Sequence, residues 1–237
     1  MTLCISPPRW YHQGGSGAHE GVLMSDVRCD ILAIGSLAVN PYWNEKTPVR
    51  REYATATLVR SGDVVLVVDP GWPPDVLQAA LFYRAGLEPS AVTHVFLTHF
   101  DPAHFGGIGL FAGAAWSMYE EEIRWAEAEA PAGDEGRQIL ERIGEVPEKF
   151  APGVDLFPTF GHTPGHCSLL VYTVIQSLIV AGDAVLTRDH FERGDLGRNQ
   201  WDLEKAKESF QDALEIADLI VPGHDNLFVC RTPGGLL

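Results

Sequence analysis

Four apolar runs of strand length each end in a turn that carries a histidine or an aspartate close to a glycine or proline. VTHVFL leads into THFDPAH at 98–104, VDLFPTF into GHTPGH at 161–166, SLIV into AGD at 181–183, and DLIV into PGH at 222–224. A strand end is held by its sheet while the turn beyond it projects a side chain, so separate segments can be aimed at one point. Glycine beside such a residue lets the backbone turn tightly. A fold that serves this pattern has to bring these strand ends together.

The residues so placed are His99, Asp101, His104, His166, Asp183 and His224. Any one of these histidines alone is more often structural than a ligand, but all four motifs agree in residue type and in following a strand. Imidazole and carboxylate without thiolate suit zinc, one or two ions, and also iron or manganese. A site that keeps positions open is of the catalytic type, because water there is acidified towards neutrality.

The remaining pattern indicates an α/β chain. CDILAIGSL, YATATLVRSG and DVVLVVDPG read as strands, the last two forming a hairpin through Ser61, Gly62 and Asp63; PDVLQAALFYRAGL reads as a helix closed by Gly86. After VTHVFLT and AAWSMY come two helical stretches, EEEIRWAEAEA and one near RQILERIG. The second half repeats the order with VDLFPTF, SLLVYTVI and SLIVAGDA, the helix LEKAKESFQDALEIA, and DLIVPGHD. Two sets of strands, each ending with helices, predict an αββα sandwich: two mixed sheets face to face with helices outside. Residues 1–28 read as a poorly ordered arm rich in Gly, Pro and Ser, within which Met24 is an alternative start, and residues 29–237 as a single domain.

Composition narrows the partners. The 237 residues are 46% hydrophobic and 21% charged, as in ordinary soluble proteins, and carry a formal charge of −15. That charge disfavours nucleic acid and anionic membranes and favours a small-molecule substrate. No run reaches the roughly 18–20 apolar residues of a membrane helix, no secretory pattern opens the chain, and Cys4, Cys29, Cys167 and Cys230 form no C-x-x-C pair. A cytoplasmic protein is expected; oligomeric state is not legible.

From about Cys29 onward, and on DPG at 69–71, THFDPAH, GHTPGH, AGD and PGH, the chain resembles the metallo-β-lactamase superfamily, specifically its glyoxalase II-like and lactonase-like hydrolases. The resemblance implies the αββα fold and hydrolysis of a small ester, thioester or lactone by metal-activated water. It also implies that His99, Asp101 and His166 hold a first metal, that Asp183 bridges and can take a proton from water as Asp101 can, and that His104 and His224 hold a second metal. Asp69 would support the site from behind. The family motif H-x-H-x-D-H reads here H-F-D-P-A-H, with Asp101 in place of the second histidine and Ala103 in place of the aspartate. Asp101 can still ligate and makes the site more tolerant of iron or manganese; Ala103 cannot ligate. Two alternatives follow from this departure: a metal-binding protein without catalysis, or a diiron redox protein, although the chain shows no motif for the flavin domain such proteins carry.

Other residues are weighed against plainer roles. His94 alternates away from His99 and reads as a hydrogen-bonded core histidine. His162 reads as support or loop packing rather than a ligand. Asp189 and His190 are either substrate-facing or surface turn residues, and Arg188 and Arg193 pair either with an anionic substrate or internally. Trp116, Trp125 and Trp201 read as core or lid packing, and Cys167 as a small buried residue. The Glu-rich stretch at 120–130 is either a lid beside the site or a solvated helical face.

Overall fold

Alternate side chains of a strand face opposite ways, and the central strands of this chain are apolar on both faces, which demands cover on both sides. In the computed structural model, which describes residues 27–129, 133–147 and 149–230, that cover takes the form of four layers. One sheet has the order β1 (Arg28–Ala33), β2 (Ala56–Ser61), β3 (Val64–Val68), β4 (His94–Phe96), β5 (Ala115–Met118), β6 (Gly144–Glu145). β1, β2 and β3 pair antiparallel, and β3 to β6 pair parallel. The other sheet is β11 (Phe228–Val229), β10 (Leu219–Pro222), β9 (Ser177–Gly182), β8 (Cys167–Tyr172), β7 (Val154–Pro158), with only β9 and β10 parallel. This is the αββα sandwich.

Val59, Leu66, Val68 and Phe96 of the first sheet meet Leu169, Val171, Leu178 and Val180 of the second to form the inner core. The alternate residues Val67 and Val95 face Leu77 of α1 (Pro74–Ala80), whose last turn widens to a π-helical turn at Leu81–Ala85 before Gly86 ends it in the left-handed region. On the far side Leu170 and Ile179 face Ala213 of α6 (Leu203–Ile216). Asp202 caps α6 by accepting from the backbone N–H groups of Glu204 and Lys205.

The expected arm at 1–28 lies, apart from Val27 and Arg28, outside the described residues, as do Met24 and Cys4; Arg28 opens β1. Among the described residues no helix is long and apolar enough to cross a membrane. The parallel strands matter most for the site. β3 and β4 in one sheet, and β9 and β10 in the other, point their C-terminal ends to a shared edge. There Cys167 N–H donates to Thr98 O (3.0 Å) and Thr55 N–H to Gly223 O (2.6 Å), stitching the sheets together.

Candidate metal centre

Asp183 follows β9 and is the hub of this edge. Four imidazoles converge on its carboxylate: Oδ1 lies 3.3 Å from His104 Nε2 and 3.2 Å from His224 Nε2, while Oδ2 lies 3.4 Å from the same His224 Nε2, 3.6 Å from His162 Nε2 and 4.0 Å from His99 Nε2. Two groups result, His104–Asp183–His224 and His99–His162–Asp183, each with its donor atoms within 4.8 Å of one another.

The inward face of each ring is set by what holds its other nitrogen. His224 Nδ1 lies 2.9 Å from the Tyr53 carbonyl, which can only accept, so Nδ1 carries a proton and Nε2 is the nitrogen turned to Asp183. His104 Nδ1 lies 3.0 Å from Asp69 Oδ2, and His99 Nδ1 lies 3.2 Å from the Thr98 hydroxyl. Asp69 stands in the left-handed region at φ 50°, an uncommon position for a non-glycine residue, and receives both the backbone N–H and the hydroxyl of Thr98. That turn is anchored on both sides of the residue that precedes His99.

His166 is fixed through a buried relay. Ser168 Oγ donates to Ala181 O, so Thr159 Oγ1 donates to Ser168 Oγ and His166 Nδ1–H to Thr159 Oγ1; Nε2 is left to accept from the Asp183 backbone N–H at 3.1 Å. Its ring centre is 5.2 Å from that of His99. Asp101 is turned to a different task. It caps α2 (Pro102–Phe105), its Oδ1 accepting from Ala103 N–H at 2.7 Å, with Pro102 at the first helical position. It lines the cleft but belongs to neither donor group. Of the six expected ligands the structure therefore gathers His99, His104, Asp183 and His224, sets His166 and Asp101 beside them, and adds His162.

Burial and charge give the cluster its electrostatics. Burial lowers His99 well below the ordinary histidine value, helped by His104, and takes His166 down to about 3. Burial acts the same way on His104 and His224, but Asp69 and Asp183 outweigh it at His104 and Asp183 does so at His224, raising both. Burial would raise Asp183, yet His224 and His104 hold it well below the carboxylate range. The field at this point favours positive charge. His104 Nε2 and Asp183 Oδ1 are buried without a hydrogen bond of good geometry, and a buried polar atom left so is costly. A cation between them satisfies both, and nitrogen with carboxylate is a donor set that zinc, iron or manganese accepts.

The cluster floors an open cleft of about 430 Å³, walled by Phe100, Trp125 and Trp201 and rimmed by Glu52, Asn199 and Gln200. Glu52 is not marked by any sequence motif, since no strand-like run precedes it. Its Oε1 lies 3.7 Å from His224 Nε2 and burial raises its carboxyl. Trp125 comes from α3 (Glu120–Glu129), so the Glu-rich stretch does border the site; its Glu122, however, is fully buried rather than solvated. Asp189 and His190 sit in α5 (Arg188–Arg193), where Asp189 Oδ2 accepts from Trp43 Nε1 (2.9 Å) and buried His190 packs edge-on to Tyr42. Arg188 pairs internally with Glu192, and Arg193 lies over the Tyr42 ring. Trp116 is buried, Cys167 is buried with its thiol pushed up by burial, and half-buried His94 bonds the Thr93 hydroxyl.

Comparison with known proteins agrees with this fold. The family model of the metallo-beta-lactamase superfamily matches residues 49–224. Over 179 residues the chain is 31% identical to the Homo sapiens protein metallo-beta-lactamase domain-containing protein 1, covering 72% of this chain and 62% of that one. Over 153 residues it is 29% identical to an N-acyl homoserine lactonase of a Bacillus species, covering 60% and 59%. The match thus spans less than two thirds of the length of each of these relatives. Among solved structures, AidC, a dizinc quorum-quenching lactonase in complex with a product, shares the fold at a TM-score of 0.62 and 17% identity, over 74% of each chain.

Proposed function

The chain belongs to the metallo-beta-lactamase superfamily, and from that premise we propose that it is a metal-dependent hydrolase of a small ester, thioester or lactone. The observation that carries the proposal is the Asp183 carboxylate, which belongs to both donor groups and has the Nε2 atoms of His104, His224, His162 and His99 around it. Asp183 with His104 and His224, and Asp183 with His99 and His162, would hold zinc, or iron or manganese in its place. A divalent ion held here supplies acidified water and a Lewis acid for the carbonyl oxygen.

The chain's own residues do the rest. Asp69, the Tyr53 carbonyl and Thr98 keep the Nε2 atoms of His104, His224 and His99 aimed inward, and His166 steadies Asp183 through its backbone N–H. Phe100, Trp125 and Trp201 give an apolar wall for the acyl part of a substrate, and Asn199 and Gln200 offer amides to its polar part. Asp183, surrounded by imidazoles, is a weak proton acceptor. Asp101 and Glu52 line the same cleft and can take a proton at a carboxylate oxygen, Glu52 the more readily because burial raises it. Glu52 also brings a carboxylate to the His224 side, where Ala103 offers none.

The test is elemental analysis of the purified chain, followed by a panel of lactones, thioesters and esters before and after stripping with EDTA. About two ions per chain, with hydrolysis lost on stripping and regained with zinc, supports the proposal. A chain that binds no metal and turns over nothing in the panel overturns it. Variants of His99 or His166 to Ala that keep full metal and full activity sink the placement of the site.

A further inference from the structure

Resting on the metal reading above, we propose that His162, and not Asp101, supplies the donor that completes the His99 side of the centre. The superfamily pattern as matched to this sequence would give that task to residue 101. In this chain Asp101 lies in neither donor group, and its Oδ1 accepts from Ala103 N–H at 2.7 Å to cap a helical turn that Pro102 opens. Asp followed by Pro is a favoured helix start, so its presence needs no metal to account for it.

His162 shows the opposite situation. Its Nε2 lies 3.6 Å from Asp183 Oδ2, nearer than His99 Nε2 at 4.0 Å, and its ring stands edge-on to that of His99 at 4.8 Å between centres. Its Nδ1 is buried with no hydrogen-bond partner, so no neighbour fixes which ring nitrogen carries the proton. Donor atoms around a tetrahedral zinc lie roughly 3.3 Å apart, given bonds of about 2.0–2.1 Å. The His99, His162 and Asp183 atoms, all within 4.8 Å, need only a small contraction to reach that spacing.

The loop that carries His162 is fixed in advance. Asp202 N–H donates to Gly161 O (2.9 Å) and Trp201 N–H to His162 O (3.1 Å), tying it to the start of α6. Gly161 has φ 131°, and a Cβ there would overlap the Ala206 backbone, so only glycine lets the loop lie this close. The imidazole is presented by two backbone bonds rather than by a mobile turn.

Metal stoichiometry after zinc loading and dialysis tests this with H162A and D101N, since Asn caps a helix as well as Asp does. The expected result is two ions in the wild type and in D101N, and one in H162A, or a loss of affinity well beyond the roughly 10- to 100-fold that removal of a merely supporting neighbour costs. H162C gives a positive signal that does not depend on loss: loaded with cobalt(II), it gains a thiolate-to-cobalt charge-transfer band that the cobalt-loaded wild type lacks. Folding of each variant is checked by circular dichroism, and H162C serves where H162A is unfolded. Two ions in folded H162A, one ion in D101N, or cobalt-loaded H162C without the band overturns the assignment of residue 162 alone. A wild type that binds neither zinc nor cobalt overturns the metal reading as a whole and this assignment with it.

Discussion

Replacing Glu122 should loosen the site without touching any candidate ligand. Glu122 is fully buried, and its carboxylate joins three segments: Oε1 accepts from Phe100 N–H (3.0 Å), and Oε2 accepts from the Thr163 hydroxyl (2.5 Å) and Gly165 N–H (3.2 Å). Those donors neighbour His99, His162 and His166. In Glu122→Ala two backbone N–H groups and a hydroxyl lose their acceptor in a site closed to water. At about 1–3 kcal/mol for each, less the relief of no longer burying an acid, the loss is about 4 kcal/mol. Glu122→Gln keeps one acceptor oxygen, and the Thr163 hydroxyl can turn to accept from the new amide, so only one N–H is stranded and the cost is about 1–2 kcal/mol. Urea unfolding of the EDTA-stripped chain isolates the effect from metal binding, and the midpoint should fall in the order wild type, Gln, Ala at an unchanged slope. Zinc affinity should fall in the same order. An Ala variant within about 1 kcal/mol of wild type would refute the idea that this carboxylate organises the loops.

Asp69→Asn should weaken zinc binding roughly 10- to 100-fold while leaving the fold intact, because Asn tolerates φ 50° but places an amide where His104 Nδ1–H needs an acceptor; isothermal titration of stripped protein reads it. Gly165→Ala should cost more than about 3 kcal/mol, since a Cβ there would overlap the backbone of Glu121 and Glu122, and a variant with the wild-type melting temperature contradicts that packing. Tyr42→Phe removes the hydroxyl that donates to Asp195 and, as the largest influence, holds its carboxyl below the usual range. A carboxyl lowered in the folded state adds stability above its unfolded value, near pH 4, and loses it as pH falls through the lower folded value. The wild type should therefore exceed the variant by about 1 kcal/mol at pH 6, and the gap should close in acid; a gap that grows in acid reverses the sign of the argument.

The fold and the hub of the site were legible because both rest on local pattern. Strand-length apolar runs and the turns behind them mark β4, β9 and β10, and hence the places of His99, Asp183 and His224, and the two sets of strands with their helices lead to the four layers. Glu122 was not legible. It stands in a run of three glutamates, and which of the three turns inward depends on where Gly165 lets α3 approach. Glu52 has no strand before it and reaches the cleft only because the segment ahead of β2 is stitched to the Gly223 turn, by Thr55 N–H donating to Gly223 O.

Asp101 and His162 show why ligand identity is harder to read than ligand region. The letters D-P-A-H serve equally as a metal motif with one carboxylate and as a capped helical start, and no local signal separates the two. In space Asp101 takes the second role through Oδ1 and lies in neither donor group. The turn that Asp101 and Pro102 open holds His104 in place, and Ala103 within it offers no donor. The donors that reach Asp183 and His224 instead come from elsewhere, His162 from the loop after β7 and Glu52 from the chain before β2. On this view D101N leaves metal stoichiometry unchanged and H162A lowers it, the reverse of what the motif alone implies.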